Sequence, residues 1–569
     1  MTGLLSMLNP GWLLIAVGLG ALFLPVRRVR QGLTIAAPII AILLISVADR
    51  NVNLLTGHAL GIEMILYRVD NLSYIFGLAF LLAALLNAIY AWHTDDRLQD
   101  GMSIAYAGAA VAATFSGDMM TLFVFWELTA ITSVFLILRA GTRAAYFASM
   151  RYLGVQILSG VLLLAGIGYV YQSRGDLSIS AFTSLNEPGA LLVFIALGIK
   201  AAFPFLHNWL QDAYPEATAT GTVFLSAFTT KLAVYALARG FAGTEELIWI
   251  GAAMTMFPIF YAVIENDLRR VLAYSMINQI GFMVVGVGLG TALAVNGAIA
   301  HAFNEVIFKG LLMMSMGAVL YRTGKMNGSD LGGLYKSMPI TTTLCIVGAA
   351  SISAFPLFSG FVSKSMVMVA VLDEGHPVVW LALLFASAGV FHHAGIKIPF
   401  FAFFAHDSGI RTPEPPLNML IAMSIAAILC VFIGSYPWLL YSLLPFEVNY
   451  VPFDRSHVLA QFQLLVFSAA AFAWLKISGI YPPELHATNI DVEWFYRRLA
   501  PRAVQRVGRL VSSTGDAAAR ALRGGNKSLM RSVFRHYGPE GTLARTWPTG
   551  SMVLWVAVLL AASLVLYYL

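Results

Sequence analysis

Long apolar runs alternate with short polar connections along most of the chain. Sixteen of these runs have about 17 or more residues, enough for a helix to cross a hydrocarbon core of about 30 Å. They occupy residues 4–25, 32–48, 72–92, 102–117, 119–138, 147–172, 189–210, 218–241, 247–265, 271–290, 294–321, 340–371, 378–404, 417–444, 456–480 and 549–569. The pattern predicts an all-α polytopic membrane protein with about 16 transmembrane helices. The first run lacks a basic flank and a small-residue cleavage site, so we expect a retained helix rather than a signal peptide.

Basic residues follow the same alternation. Every second connection is rich in them: Arg27, Arg28, Arg30, Arg97, Arg139, Arg143, Arg151, Arg269, Arg270, Arg322, Lys325, Lys336 and Arg411. The connections of the other parity carry Arg50, Arg68, Arg174, Arg239 and Arg455. Because arginine-rich connections stay in the cytoplasm, we expect both termini outside a cell (inner) membrane.

The composition agrees with a membrane protein, since 59% of the 569 residues are hydrophobic and only 11% are charged. Nine of the 35 basic residues are lysines, and five of these nine lie well inside strongly apolar stretches: Lys200, Lys231, Lys309, Lys364 and Lys397. An ammonium group in the bilayer interior costs at least about 2.5 kcal/mol. These lysines are therefore the feature that needs explaining. The two cysteines also lie in apolar runs and offer neither a disulfide framework nor a thiolate metal site.

Residues 481–548 differ from the rest of the chain. They hold eleven Arg and Lys against five Asp and Glu, a net charge of +6 that equals the formal net charge of the whole protein. Apolar and basic residues alternate there at helical spacing, which predicts an amphipathic lateral helix at the cytoplasmic interface. We expect Gly524 and Gly525 to bend or break it. Lipid headgroups, rather than nucleic acid, are the expected partner of this basic segment.

Ionisable residues recur inside the predicted spans. Span 5 carries Glu127, span 7 carries Lys200 one turn before Pro204, and span 8 carries Lys231. Span 11 carries His301, Glu305 and Lys309, spaced by four so that all three lie near one helix face. A proline removes a backbone donor and clashes with the preceding turn, so we expect span 7 to be broken beside its lysine.

The same order occurs a second time. Span 12 has Pro356 ahead of Lys364, and span 13 carries His392, His393 and Lys397. The two lysines of each pair are 31 and 33 residues apart, and the two pairs lie five spans apart. A repeat of an odd number of helices is inverted in the membrane, as in many ion-coupled transporters.

We therefore expect two inverted five-helix repeats, at 101–241 (helices 4–8) and 246–405 (helices 9–13), each with one broken helix. Helices 1–3 precede them at 1–100, and helices 14–15 follow at 415–480. The lateral helix at 481–548 and a final anchor at 549–569 complete the expected organisation.

A row of such groups joined by water can pass protons, because the distance between a buried lysine and a carboxylate controls how firmly the lysine holds its proton. The alternative is that each charge is a snorkelling or paired anchor near a helix end. Five lysines with a glutamate, a histidine and two broken helices favour the proton path. Lys397 and the pair His392 and His393 fit the anchor interpretation best. His207, His301, His392 and His393 lack the spacing of a metal site, so we expect no metal and no cofactor.

Four runs resemble one known family in both sequence and order: DMMTLFVFWELTAITSVFLI, GIKAAFPFLHNWLQDAYPEATATGTVFLSAFTTKLAVYALAR, NDLRRVLAYSMINQIGFM and HAFNEVIFKGLLMMSMG. This family comprises the antiporter-like membrane subunits of respiratory complex I and of Mrp-type Na+/H+ antiporters. The resemblance covers about residues 65 to 405. It is nearest to the D-type component of the Mrp antiporters, because Lys231 stands where that component and complex I chain M carry lysine. Lys364 resembles the terminal lysine of the D-type component and chain L.

The resemblance implies a role for each residue of the row. Glu127 and Lys200 would be the ion pair of the first half channel, and Lys231 would be the bridge to the centre. Lys309 with His301 would be the central relay, and Lys364 would be the residue at the far exit.

Two departures from the family pattern affect these roles. Glu305 replaces a histidine found in many relatives, where it could trap a proton or keep Lys309 charged. Residues 481–569 resemble the lateral helix and anchor of chain L, so the chain would sit at the distal end of an assembly, clamping a neighbour.

The sequence thus leads to the hypothesis of a proton-translocating subunit, not itself an enzyme, of a multisubunit Na+/H+ antiporter. Its partners would be other membrane subunits, and H+ with Na+ or K+ would be the transported ions. Two alternatives stay open: a proton-pumping subunit of a quinone oxidoreductase or membrane hydrogenase, and a proton-coupling subunit for inorganic carbon uptake. Redox chemistry would then reside in partner chains, because the sequence offers no iron-sulfur, flavin or nickel ligands.

Overall fold

The computed structural model describes residues 7–59, 61–487, 489–546 and 548–568, which are mostly helical. The helices are α1 (Pro10–Phe23), α2 (Arg27–Ser46), α3 (Asn71–Ala91), α4 (Arg97–Thr114), α5 (Met119–Leu138), α6 (Arg143–Arg174), α7 (Ala190–Ala201), α8 (Asn208–Ala213), α9 (Gly221–Ala227), α10 (Thr229–Gly240), α11 (Glu245–Ile264), α12 (Leu268–Leu289), α13 (Ala292–Thr323), α14 (Pro339–Ile352), α15 (Ser359–Asp373), α16 (Pro377–Val390), α17 (Leu417–Ser435), α18 (Trp438–Tyr441), α19 (Arg455–Ile477), α20 (Ala500–Tyr537) and α21 (Thr549–Tyr568). Short 3-10 turns at Tyr214–Glu216, Gly328–Asp330 and Leu334–Lys336 and π-helical segments at Phe391–Lys397, Phe400–Phe404 and Phe495–Leu499 complete the helical structure.

The helices make this a multi-pass membrane protein. Within the described residues, twelve are long and apolar enough to cross a membrane, and three further apolar helices have 10–17 residues. Several begin where an aspartate side chain accepts from backbone N–H groups of the first turn, as Asp118 does from Thr121 at 2.8 Å. Such caps satisfy donors that a helix start leaves unpaired, so each span begins at a defined residue.

The arginine-rich connections lie together at one end of the bundle, which we call the Arg-rich face. Arg27 donates to the carbonyl oxygens of Trp92 and His93, and Arg139 forms an ion pair with Asp96. At the same end, the fully buried Arg30 forms ion pairs with Asp95 at 2.6 Å and with Asp100 at 2.7 Å. Arg269 donates to the carbonyl oxygen of Ala217 at 2.9 Å. Lys336 forms an ion pair with Asp407 at 2.7 Å. These contacts join connections that the sequence assigned to one side.

The opposite end carries a β-hairpin, so the prediction of an all-α protein was wrong in this detail. Strands β1 (Val52–Ala59) and β2 (Ile62–Val69) pair antiparallel. The hairpin docks onto the chain ahead of α5, where the N–H of Ile65 donates to the Asp118 carboxylate at 2.7 Å and the N–H of Gly117 donates to the Ile65 carbonyl at 2.9 Å.

Two matching turns interrupt the bundle where the sequence reads Ala-Phe-Pro. Pro204 lies between α7 and α8, and Pro356 lies between α14 and α15. In both turns the alanine and the residue after the proline have positive φ: 63° at Ala202, 69° at Phe205, 56° at Ala354 and 73° at Leu357. A left-handed conformation costs a non-glycine residue about 1–2 kcal/mol, so the surrounding packing has to hold both turns in place.

The two turns also have the same hydrogen bonds. The N–H of the phenylalanine donates to the carbonyl five residues earlier, Phe203 to Gly198 at 2.9 Å and Phe355 to Ala350 at 3.0 Å. Helix α7 runs toward the Arg-rich face, whereas α14 runs away from it. The two turns therefore have opposite orientations relative to that face.

A third interruption, which the sequence analysis missed, separates α9 from α10 at Phe228. No proline or glycine marks it; the backbone at Phe228 has φ −108° and ψ −64°. Helix α16 continues into π-helical segments that include Lys397. Such wide turns are rare and often lie at functional sites.

The chain divides into two compact units, Met1–Asn489 and Ile490–Leu569. In the second unit α20 is a single helix of 38 residues, about 57 Å long at 1.5 Å per residue. It continues through residues 524 and 525, so the expected break there does not occur. Helix α21 follows with 20 residues.

Candidate functional site

Lys200 is fully buried at the last turn of α7, and α5 supplies its ligands. Its ammonium donates to the carbonyl oxygen of Trp126 at 2.6 Å and to the hydroxyl of Thr129 at 3.1 Å. The same ammonium lies 4.3 Å from the centre of the Trp126 ring, a favourable cation–π arrangement.

Glu127 follows Trp126 but faces a different neighbour. Its carboxylate lies against Gly160 of α6, where any Cβ would overlap it, and its Oε1 has no hydrogen-bond partner among the described residues. Glu127 and Lys200 act on each other electrostatically but do not form the direct ion pair implied by the resemblance. Adjacent residues of a helix point in different directions, so Trp126 and Glu127 cannot both face α7.

Lys231 and Glu305 form an ion pair at the centre of the protein, and both side chains are fully buried. The ammonium also donates to the carbonyl oxygen of Ser226 at 2.9 Å and lies 3.4 Å from the sulfur of Met276. Ser226 precedes the interruption at Phe228, which leaves its carbonyl available to the lysine. Glu305 is therefore the carboxylate in contact with Lys231, and it also acts electrostatically on Lys309, as one of the two roles expected from the sequence requires.

The other two residues of the α13 stripe contact α12 and α15. Lys309 donates to the hydroxyl of Ser275 at 2.9 Å. His301 is hydrogen-bonded through Nδ1 to Ser363 at 3.0 Å and through Nε2 to Gln279 at 3.1 Å. The imidazole also lies within electrostatic range of Lys231, Lys309 and Lys364, so it occupies the junction of the three lysines.

Lys364 lies on α15, beyond the second turn, with 2% of its surface exposed. Its ammonium donates to the carbonyl oxygen of Ile352 at 3.3 Å and lies 4.8 Å from the centre of the Phe282 ring. The side chain lines a cavity of about 170 Å³, which His457 and Gln461 of α19 also line. The walls of this cavity are mainly apolar, and Lys364, His457 and Gln461 supply polar groups to which water molecules could bind.

Lys397 lies apart from this row, beside the end of α11. It donates to the carbonyl oxygens of Val263 and Glu265, both at 2.6 Å, and pairs with Glu484 at 2.9 Å. Burial raises the pKa of Glu484, and the nearby Lys397 offsets part of this rise. Lys397 thus caps a helix and fixes the segment that follows α19.

The remaining histidines occupy three different surroundings. His207 is buried against the Phe257 ring, with the ring centres 4.5 Å apart. His392 contacts Phe472 and Tyr481 in an aromatic cluster. His393 is fully buried, and neither ring nitrogen has hydrogen-bond geometry to another described residue. Within the described residues no group of three or more His, Cys, Asp or Glu could hold a metal ion.

Several polar residues that complete the row were missed by the sequence analysis. Ser275 and Gln279 lie four apart on α12, which places both on the face toward α13. Thr129 holds Lys200 from α5, and Ser363 holds His301 from α15. Polar residues at helical spacing inside otherwise apolar spans were the available signal.

We expect Lys364→Ala to lower proton movement by at least about 100-fold, since a group that transfers protons contributes about 10²–10⁴ in rate. The measurement is the internal pH of vesicles containing the intact complex. Met368→Ala is the control, because Met368 lines the same cavity but carries no proton. A Lys364→Ala complex that moves protons at the wild-type rate would contradict a role at the exit.

These features define a multi-pass membrane protein with broken helices around a buried row of ionisable side chains. The transmembrane family described as NADH:quinone oxidoreductase/Mrp antiporter matches residues 116–390, and the chain is similar to the antiporter-like membrane subunits that complex I and Mrp antiporters share. The matched region contains every residue of the row.

Two curated relatives and one solved structure show the extent of the similarity. The A-type component of the Na(+)/H(+) antiporter of Alkalihalophilus pseudofirmus is 29% identical over 67% of this chain and 53% of its own length. The N-type component of the NADH-quinone oxidoreductase of Desulforudis audaxviator is 34% identical over 48% of this chain and 58% of its own length. The alignments therefore span little more than half of these relatives. A chain of the membrane-bound sulfane sulfur reductase, an archaeal respiratory membrane complex, shares the fold with a TM-score of 0.71 at 22% identity, covering 98% of this chain and 99% of that chain.

Proposed function

We propose that this chain is a proton-translocating subunit of a multisubunit monovalent cation/H+ antiporter. The observation that carries the proposal is the row of ionisable side chains between the two Ala-Phe-Pro turns: the partly buried Glu127 and the buried Lys200, Lys231, Glu305, Lys309, His301 and Lys364. The similarity to a component of an Na(+)/H(+) antiporter and the D-type pattern at Lys231 and Lys364 favour antiport over other uses of the row.

The charges of the row favour stepwise transfer. Four buried lysines face two carboxylates, and among the described residues only Lys231 has one of these in ion-pair contact. Loading all four lysines with protons therefore leaves like charges close together with few counter-charges, which a low-dielectric interior makes costly. A proton that arrives at one lysine consequently weakens the hold of its neighbour, and this drives transfer along the row.

The proposal includes an arrangement in the membrane. The matching turns of opposite direction support two inverted repeats, at 101–241 and 246–405, with one half channel beside each broken helix. The Arg-rich face would be cytoplasmic and both termini outside. The regions at 1–100, 415–480, 481–548 and 549–569 would be the N-terminal helices, helices 14–15, the lateral helix and the anchor.

Partners of the chain would be other membrane subunits. The described side chains of α20 are nearly all exposed and alternate between apolar and basic types, so this surface suits lipid headgroups on one side and a neighbouring subunit on the other. H+ would cross this chain, and Na+ or K+ would be exchanged by the assembly.

A second candidate is a proton-pumping subunit of a redox complex. It is favoured by the 34% identity to the N-type component of an NADH-quinone oxidoreductase. The row would serve the same proton transfer there, with electron transfer in partner chains.

Purification of the intact complex through an affinity tag on this chain separates the candidates. We expect mass spectrometry to find small membrane subunits of an antiporter in fixed ratio to the chain. Hydrophilic subunits that bind iron-sulfur clusters would instead establish the redox candidate, and a large zinc protein would establish the carbon-uptake alternative.

A further inference from the structure

Lys200 and Lys231 belong to different helices, and a cluster of hydroxyl groups lies between them. Tyr106 of α4, Ser133 of α5, Tyr152 of α6 and Thr229 of α10 are all fully buried. The Tyr152 hydroxyl is 2.7 Å from Ser133 Oγ, and the Tyr106 hydroxyl is 2.6 Å from Thr229 Oγ1. Thr229 also lies close enough to Tyr152 to act on its hydroxyl. Four helices thus contribute two hydrogen-bonded pairs of hydroxyls that lie near each other.

One end of this cluster reaches Lys200. Thr129, which accepts from the Lys200 ammonium at 3.1 Å, lies four residues before Ser133 on the same face of α5. Gln156 lies one turn after Tyr152 on α6, fully buried, and neither atom of its amide has a partner among the described residues. Buried polar groups are normally hydrogen-bonded, so this amide is suited to hold a water molecule between Thr129 and Tyr152.

The other end lies beside Lys231 in the chain. Thr229 is the first residue of α10, and Lys231 follows two residues later. Thr230, between them, is also fully buried, and its hydroxyl has no partner among the described residues. The interruption at Phe228 therefore places two hydroxyls at the start of the helix that carries the central lysine.

We infer that Ser133, Tyr152, Thr229 and Tyr106 form a hydroxyl relay that carries the proton from Lys200 to Lys231. This inference rests on the proposed function and specifies its least obvious step. A hydroxyl accepts and donates at once, so each O–H bond breaks as the next one forms. One proton leaves Nζ of Lys200, one proton reaches Nζ of a neutral Lys231, and every hydroxyl keeps its single hydrogen. The hydroxyls then rotate back before the next transfer.

A purely structural role makes a different prediction. The Tyr106 hydroxyl also accepts from the backbone N–H of Thr229 at 3.1 Å, which satisfies a donor at the start of α10. If the hydroxyl cluster served only to cap α10 and to hold the helices together, loss of the Tyr152 hydroxyl would lower stability and leave the rate of proton movement unchanged.

The test compares Tyr152→Phe with wild type in vesicles containing the intact complex. The variant keeps the ring against Trp209, whose centre is 5.6 Å away, and removes only the hydroxyl. We expect proton movement to fall at least tenfold and its solvent deuterium isotope effect to rise. Tyr90→Phe is the matched control, because Tyr90 is equally buried but donates to the carbonyl oxygen of Met314 outside the relay. A Tyr152→Phe complex with the wild-type rate and isotope effect would overturn the relay.

Thr229 provides a second pair of variants should Tyr152→Phe fail to assemble. Thr229→Ser keeps the hydroxyl and Thr229→Val keeps the shape, so the relay predicts near wild-type movement in the first and at least a tenfold loss in the second. Equal rates in the two variants would overturn it. Each complex is driven both by a Na+ gradient and by a reductant with quinone. If the wild-type complex moves protons only with the reductant and quinone, the antiporter proposal is overturned, and the relay can still be measured under that drive. If the wild-type complex moves no protons under either drive, the proposed function and the relay are both overturned.

Discussion

Replacing Glu305 by alanine is expected to lower the free energy of unfolding by about 3–5 kcal/mol, because it leaves the Lys231 ammonium buried without its counter-charge. Both side chains have no exposed surface, and Glu305 is the carboxylate that pairs with Lys231. The carbonyl of Ser226 and the sulfur of Met276 remain as ligands, but neither neutralises the charge. The measurement is the thermal unfolding midpoint of the purified complex in detergent.

A double variant separates this structural effect from transport. Lys231→Met combined with Glu305→Leu removes both charges and keeps apolar groups of similar volume, an exchange that is often neutral or stabilising for a buried ion pair. We expect the double variant to recover the unfolding midpoint but not proton movement. Two results would contradict the account: a Glu305→Ala complex as stable as wild type, or a double variant that transports.

Replacing Lys200 by alanine is expected to reduce proton movement by at least about 100-fold while the complex stays assembled. Its ammonium joins α7 to α5 at Trp126 and Thr129, and it acts on the Glu127 charge. Without it, a proton taken up near Glu127 has no acceptor on the route to Lys231. The measurement is the initial rate of internal pH change in vesicles.

Lys200→Arg tests whether the charge or the mobile proton matters. A guanidinium keeps the positive charge but does not release its proton in proteins, so we expect this variant to be as inactive as Lys200→Ala. The matched control is Lys336→Ala, since Lys336 forms an exposed ion pair with Asp407 and such pairs contribute little. Transport by Lys200→Arg near the wild-type rate would show that Lys200 acts only as a fixed charge.

The helical, membrane-spanning character was predictable because each span needs only a long apolar run; among the described residues twelve helices are long and apolar enough to cross a membrane, against sixteen predicted spans. The two interruptions marked by proline were also predictable, because a proline disturbs the helix through its own backbone, whatever lies around it. The hairpin was not, because strands β1 and β2 depend on docking against Asp118 and Gly117, which are distant in sequence. The interruption at Phe228 likewise has no local signal.

The candidate site was predictable as a set of residues but not as a set of contacts. Helical spacing placed His301, Glu305 and Lys309 on one face, yet it could not tell which neighbouring helix each would meet. Glu305 of α13 pairs with Lys231 of α10. Glu127 lies against Gly160 instead of pairing with Lys200. Partner choice depends on how the helices pack, which a pattern along one chain does not contain.

The central claim is that this chain moves protons in exchange for a monovalent cation. The most direct test is the internal pH of vesicles containing the wild-type complex after a pulse of external Na+ or K+, with choline as the inert cation and a protonophore to abolish the gradient. The account predicts an internal pH change with Na+ or K+ that choline does not produce. An internal pH that responds identically to all three cations would contradict it.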